Sequence, residues 1–220
     1  MILHAACGLA LVYVAASMAA SPGAGEQIAK NGTLAGVPAC VVCHGATGQG
    51  RLTAGFPRLA GLNGDYLVKQ LMSFNSGTRV SPVMTPVAKL LTASDQLAVA
   101  GYYAALPVID EAASVASSTI AYAAGQTLAL RGAWSKGVPA CAQCHGAGGM
   151  GVGATFPQIA GQSSAYVTSQ LKAWQQGIRK NDPMGLMHGI ALKLTDKDIS
   201  NVAAYYASEK AAPDHRGTKP

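Results

Sequence analysis

Cys40-Val41-Val42-Cys43-His44 and Cys141-Ala142-Gln143-Cys144-His145 are one pentapeptide pattern written twice in a chain of 220 residues. Two cysteines separated by two residues can form thioether bonds with the two vinyl groups of one haem, while the adjacent histidine ligates the iron. Each copy follows the same Gly-Val-Pro-Ala, at 36–39 and 137–140, and each is followed by glycine. A bare cysteine pair can also be a redox dithiol, and two such pairs can build a thiolate zinc site. The shared flanks favour two haem c groups, attached through Cys40 and Cys43 and through Cys141 and Cys144, with His44 and His145 as iron ligands.

The repetition runs far beyond the pentapeptide. Phe56-Pro57-Arg58-Leu59-Ala60-Gly61 returns as Phe156-Pro157-Gln158-Ile159-Ala160-Gly161, and Tyr66, Gln70 and Leu71 return as Tyr166, Gln170 and Leu171. Phe74, Gly77 and Arg79 are matched by Trp174, Gly177 and Arg179. So many matches at nearly constant offset mean duplication of one unit. A short helix is expected over Gly25–Gly32, with its counterpart over Gly125–Gly132. Each unit closes on a helix whose start is legible: Thr92 and Thr195 stand three residues before Asp95 and Asp198, a capping hydroxyl facing a carboxylate. In the second of these helices Ile199, Val202, Ala203 and Tyr206 form one apolar stripe. No stretch alternates with period two, so the fold class expected is all-α. The boundaries are a leader over 1–24, a first domain over 25–107, a linker over 108–119, a second domain over 120–210 and a mobile tail over 211–220.

Half of the residues are hydrophobic, yet the chain has only three Phe and two Trp, so each half has little bulky side chain to bury. A haem in each would supply the missing apolar core. The first twenty residues carry no Asp, Glu, Lys or Arg and read as an export leader cleaved near Ala19 or a few residues later, with an uncleaved anchor as the competing reading. Cys7 lies in that leader, so all other cysteines belong to the two pairs, and covalent haem attachment belongs outside the cytoplasm; the expected location is the periplasm. The formal charge is +6, with six basic against four acidic residues over 26–110 and ten against six over 111–220. A basic surface can steer acidic partners or meet an anionic membrane. The basic residues are scattered and no recognition fold accompanies them, so a nucleic-acid module is excluded.

A low-spin electron-transfer haem needs a sixth ligand, and a thioether sulfur favours the ferrous state. In the first unit the choice lies between Met72, within the Tyr66–Phe74 helix and read as core packing, and Met84, read in an extended proline-flanked loop; Met84 is preferred. In the second unit Met184, Met187 and His188 compete. Met187 stands eight residues before Thr195, as Met84 stands eight before Thr92, whereas Met184 fits the count from Arg179 as Met84 fits that from Arg79. The downstream count favours Met187. Tyr66, Tyr166, Trp134 and Trp174 are candidates for lining the haem pockets or for plain core packing. Arg79 and Arg179 are either propionate partners or solvated surface residues.

Taken together, the paired motifs, the Phe-Pro-x-Leu/Ile-Ala-Gly segment, the Tyr-x-x-x-Gln-Leu helix and a methionine before a capped Tyr-Tyr helix resemble dihaem cytochromes of the c4 type. The resemblance covers about Gly25 to Lys210. It implies a tandem pair of class I cytochrome c domains related by an approximate twofold axis, each wrapped around its haem. It further implies that the carbonyls of Pro57 and Pro157 accept from the ring N–H of His44 and His145. The expected function is transfer of single electrons between a respiratory donor and a terminal acceptor such as an oxidase, without substrate chemistry. The alternative is the dihaem subunit of a flavin- or quinone-dependent dehydrogenase complex, and a dihaem peroxidase is a remote third reading. Partners are redox proteins, with peripheral membrane association left open.

Overall fold

A computed structural model describes residues 23–109 and 119–213. The expected leader up to residue 22 and most of the expected linker lie outside the described residues, and Ala24, expected as the leader's last residue, opens the first helix. Two similar helical units follow one another. The first holds α1 (Ala24–Asn31), α2 (Val41–His44), α3 (Gly64–Ser76), α4 (Met84–Leu90) and α5 (Ala93–Ala105). The second holds α6 (Thr119–Arg131), α7 (Cys141–His145), α8 (Ser164–Gln175), α9 (Leu186–Ala191) and α10 (Asp196–Ser208). Among the described residues there is no strand, only isolated bridges. Nor is any described helix long and apolar enough to cross a membrane.

In both units the first and last helices cross, and a glycine decides how closely. A Cβ on Gly25 would lie 2.1 Å from the Ala98 carbonyl oxygen, and one on Gly125 2.1 Å from that of Asn201. The helices touch backbone to backbone, which only glycine permits. Behind the crossing, Ile28, Leu67, Val99 and Tyr103 build the first core. Leu128, Leu171, Ile199, Val202 and Tyr206 build the second. The stripe read on α10 is buried at all four positions.

Both closing helices start on a complete capping box, Thr92 with Asp95 and Thr195 with Asp198. The long middle helices are capped too, Asn63 Oδ1 accepting from Tyr66 N–H at 3.0 Å and Ser163 Oγ from Tyr166 N–H at 3.2 Å. Each cap satisfies an N–H that the first helical turn leaves without a partner.

Three expectations change. The helix expected from Gly125 already includes Thr119, inside the expected linker, because the Ile120–Ala124 run has no breaker to stop it. Residues 211–213, expected in a mobile tail, are packed: Ala212 O accepts from Gln158 Nε2 at 2.6 Å, and Pro213 lies against Gly61 of the first unit. Met72, read as core, is 58% exposed. It stands on the solvent side of α3, opposite the face that carries Tyr66 and Gln70.

Two outcomes follow for stability. Gly125→Ala is expected to cost about 1–3 kcal/mol in denaturant unfolding of the second unit, since a backbone oxygen cannot give way as a flexible side chain can. Burial pushes the Asp198 carboxyl up, but hydrogen bonds from Lys136 and Thr195 outweigh it and hold the group below its ordinary value. Its stabilisation is therefore present above the ordinary carboxylate pKa and lost as pH falls through the lowered one. Asp198→Asn is expected to cost about 1 kcal/mol at neutral pH and to flatten the acid limb of stability measured by thermal melts.

Candidate haem-binding sites

One helical turn separates the two cysteines of each pair, placing i and i+3 on one helix face. The histidine that follows is buried in both units. His44 Nδ1 lies 3.0 Å from the Pro57 carbonyl oxygen and His145 Nδ1 2.8 Å from that of Pro157. A carbonyl can only accept, so Nδ1 carries the proton and Nε2 keeps its lone pair, the tautomer a metal-ligating imidazole needs. Phe56 and Phe156 stand edge-on to the two rings, at centroid distances of 6.2 and 6.4 Å. Burial lowers both imidazole pKa values against the opposing pull of the proline carbonyls, and at His145 the Arg179 cation lowers it further. The neutral ring is thus the resting form.

The chemistry of the donor set fits a covalently attached haem. Among the described residues the four cysteines of the two pairs form no disulfide. Burial pushes the Cys40 thiol up and the Cys141 thiol to about 11. A redox dithiol needs the opposite, a depressed thiol in an electropositive site. No group of three His, Cys, Asp or Glu among the described residues can hold a bare metal ion, so the two pairs do not combine into a zinc site. Cys40 and Cys141 pack against the two cores. The buried hydroxyls of Tyr103 and Tyr206 lie beside Cys40 and Cys141.

Met84 is the first residue of α4 rather than part of an extended loop, its N–H donating to Ser81 Oγ at 3.1 Å. Pro86 follows within the first helical turn, where a missing N–H costs nothing. Met187 sits in α9, packed against the second core, its N–H held by the Asp182 carboxylate. The three extra residues of the second unit form a turn before α9, with Gly185 left-handed at φ 66° as its N-cap. Met184, in that turn, is 80% exposed. His188 is tied to the backbone of α8, Nδ1 lying 2.8 Å from the Trp174 carbonyl oxygen. Trp134 is 64% exposed on a short 3₁₀ turn and so is not core.

Arg79 and Arg179 are not solvated surface residues; they are 6% and 8% exposed, between the two units. The segments carrying them pair antiparallel across the seam, Lys180 N–H donating to Thr78 O at 2.6 Å and Val80 N–H to Ile178 O at 3.2 Å. Equivalent residues of a repeat facing each other is the signature of an approximate twofold axis. The contacts are exchanged accordingly. Arg79 donates to Tyr166 Oη at 2.8 Å and Gln170 Oε1 at 2.6 Å, and Arg179 to Gln70 Oε1 at 3.2 Å and Tyr66 Oη at 3.5 Å. Each guanidinium also keeps its own unit's glutamine, at 2.9 and 3.1 Å, and lies over its own aromatic ring, Phe74 or Trp174, at 4.5 and 4.7 Å. Burial resists ionisation of Tyr166, but the two arginines outweigh it and lower the phenol's pKa.

A second seam breaks the symmetry. Arg58 crosses to Gln158 Oε1 and Ala160 O, both at 2.9 Å, while Gln162 accepts from Arg58 N–H at 3.1 Å and donates to Arg58 O at 2.8 Å. One side-chain amide thereby stands in for a strand partner. Sequence reasoning missed Gln70, Gln170, Arg58, Gln158 and Gln162. A glutamine four residues after a tyrosine on an otherwise apolar helix face, repeated in both units, was the available signal.

A cytochrome c family model matches residues 122–209. The chain is 47% identical over 193 residues to a thiosulfate dehydrogenase electron acceptor of Stutzerimonas stutzeri (strain A1501), covering 87% of this chain and 89% of that protein. It is 39% identical over 189 residues to a cytochrome c4 of Thiocapsa roseopersicina, covering 85% of this chain and 94% of that one. Among solved structures, a thiosulfate dehydrogenase of Marichromatium purpuratum superposes with a TM-score of 0.80 and 42% identity over 85% of this chain, which spans 40% of that longer one.

Replacing Gln162 with Ala removes the two bonds that tie the Arg58 N–H and C=O across the seam. The expected cost is about 1–3 kcal/mol, and calorimetry should show the two units beginning to melt separately where the parent melts as one.

Proposed function

The chain belongs to the dihaem cytochrome c4 family, two class I cytochrome c domains in tandem carrying two haem c groups, and we propose that it accepts single electrons from a thiosulfate-oxidising dehydrogenase in the periplasm and passes them to the respiratory chain. The observation that carries the choice of donor is the identity, over most of both chains, with a relative named for accepting electrons from thiosulfate dehydrogenase. Of the two expected settings, a carrier between respiratory complexes and a partner of a dehydrogenase, this favours the second. That setting is consistent with the expected alternative of a dihaem partner of a dehydrogenase.

When bound, haem iron supplies a one-electron couple between ferric and ferrous states. The chain's residues determine how that couple is used. Cys40 and Cys43, and Cys141 and Cys144, anchor the groups. His44 and His145 present Nε2, held in register by the carbonyls of Pro57 and Pro157. Met84 and Met187 would supply the second protein ligand to each iron, a place that a peroxidase would leave open to substrate. Three features support Met187 over its rivals: it packs on the core, Met184 points to solvent, and the His188 ring is engaged with the backbone of α8.

Mixed with a purified thiosulfate dehydrogenase and thiosulfate, the oxidised protein is expected to be reduced within the enzyme's turnover time, as read from the haem α-bands. Reduction by respiratory complexes alone, with none from the dehydrogenase, would return the protein to the role of a general carrier. Met187→Ala is expected to remove the second unit's sulfur-to-iron charge-transfer band and lower its midpoint potential, and Met184→Ala to change neither. The reverse pattern would transfer the ligand role to Met184.

A further inference from the structure

Met84 and Met187 stand in turns of opposite backbone character. Met84 has Pro82 two residues before it and Pro86 two residues after it; at the same offsets Met187 has Gly185 and Gly189. Proline fixes φ, whereas glycine has the widest backbone freedom. Side chains knit the first turn as well. Ser81 Oγ accepts from the N–H groups of Val83 and Met84 at 3.3 and 3.1 Å, and Thr85 Oγ1 accepts from Ser81 N–H at 2.9 Å. In the second turn the Asp182 carboxylate holds Met187 N–H, but Gly185 is left-handed, and a Cβ added there or on Gly189 would meet no atom within 4 Å. The six-residue helix α9 thus has a glycine before it and another inside it, with open space around both. The residue after each methionine differs too. Thr85 is engaged in its own turn, and its counterpart is His188. His188 is exposed and so fills no core. Its Nδ1 donates to the Trp174 carbonyl oxygen at 2.8 Å, so the neutral ring keeps its lone pair on Nε2, as the rings of His44 and His145 do. An imidazole in the tautomer that binds metals therefore follows directly on a thioether ligand, on a helix free to turn.

We propose that His188 is an incoming ligand for the iron of the second unit, replacing Met187 in the ferric state, while Met84 in the first unit stays bound. This rests on the dihaem reading and on Met187 as the resting ligand. Adjacent residues of a helix point roughly 100° apart, so a turn of α9 by that much, absorbed at Gly185 and Gly189, exchanges one side chain for the other. The iron–sulfur bond breaks with its electron pair returning to sulfur. The iron–nitrogen bond forms with the lone pair of Nε2, and neither a proton nor an electron is transferred. Ferrous iron favours the soft thioether and ferric iron, the harder acid, favours imidazole. Exchange therefore belongs to the oxidised form and is reversed on reduction. Methionine raises the potential of a haem relative to histidine, so the exchanged form is the harder one to reduce. The second unit has two potentials available to it and the first has one.

The test uses the full ferric holoprotein, and haem content is measured first by the pyridine haemochrome method. Fewer than two haems per chain refutes the dihaem reading and this proposal with it. In Met187→Ala the sulfur-to-iron charge-transfer band is expected to halve; an intact band refutes Met187 as the resting ligand, and the exchange with it. With the band halved, the second haem is expected to be low-spin, with the electron paramagnetic resonance signature of two imidazoles. In the double variant Met187→Ala/His188→Ala it is expected to turn high-spin and to bind carbon monoxide when reduced. A second haem already high-spin in Met187→Ala, or still low-spin in the double variant, overturns the exchange and leaves the Met187 reading standing. On warming the parent, half of the band is expected to bleach before the rest, with no high-spin signal; in His188→Ala the same bleaching should produce one. Gly189→Ala, whose added Cβ meets nothing, is expected to reduce the exchanged fraction at a given temperature about fivefold by removing glycine's freedom from the helix. An unchanged fraction there overturns the turning of α9 on which the exchange depends. Should Met187→Ala fail to take up haem, the warmed parent decides: both halves of the band bleaching together, or bleaching to a high-spin form, overturns the proposal.

Discussion

The hydrogen bond between a buried histidine ring and a proline carbonyl is the constraint to which the rest of each unit answers. It places the proton of His44 and of His145 on Nδ1 and leaves Nε2 as the only nitrogen with a lone pair. To deliver that carbonyl, the chain turns back after the cysteine pair. Gly50 N–H donates to His44 O at 2.8 Å and Gly151 N–H to His145 O at 2.7 Å, closing the loop that carries Pro57 or Pro157 underneath. The glycine-mediated crossing of first and last helices then holds the cysteine turn against the core.

The seam between the units follows a different logic. Its contacts are polar and buried: guanidinium to amide, guanidinium to phenol, and one amide to a backbone N–H and C=O. Buried groups of this kind are costly when unpaired, on the order of 1–3 kcal/mol each and more for a charge. They therefore specify one orientation of the units sharply. For a protein that moves electrons between two centres, a fixed orientation matters, because the separation of the centres is set by how the units dock. Arg58, with no arginine opposite it at Gln158, makes the two halves unequal.

Much was legible before folding was considered. The cysteine pairs and histidines, the duplication and the capped closing helices are local patterns, readable because covalent attachment and helix starts need particular residues at fixed short spacings. The Tyr-x-x-x-Gln helix and Arg79 or Arg179 were legible as repeats but not as an interface. A repeat reports that a residue is kept in both copies; it does not tell which neighbour the residue meets 100 positions away. Met72 was misread for a related reason. Periodicity places it on a helix, but the faces of α3 are assigned by its neighbours, and the seam took the other face.

Sequence alone determined that there are two helical units and that each binds a haem c, and it proposes the thiols and imidazoles that hold them, since bond formation depends on residue identity and near spacing. Tertiary structure decided which nitrogen of each imidazole is free, where the methionines stand, and that two arginines are buried face to face. Those depend on carbonyls, ring faces and amides brought together from distant segments by packing, and no count along the chain contains that information.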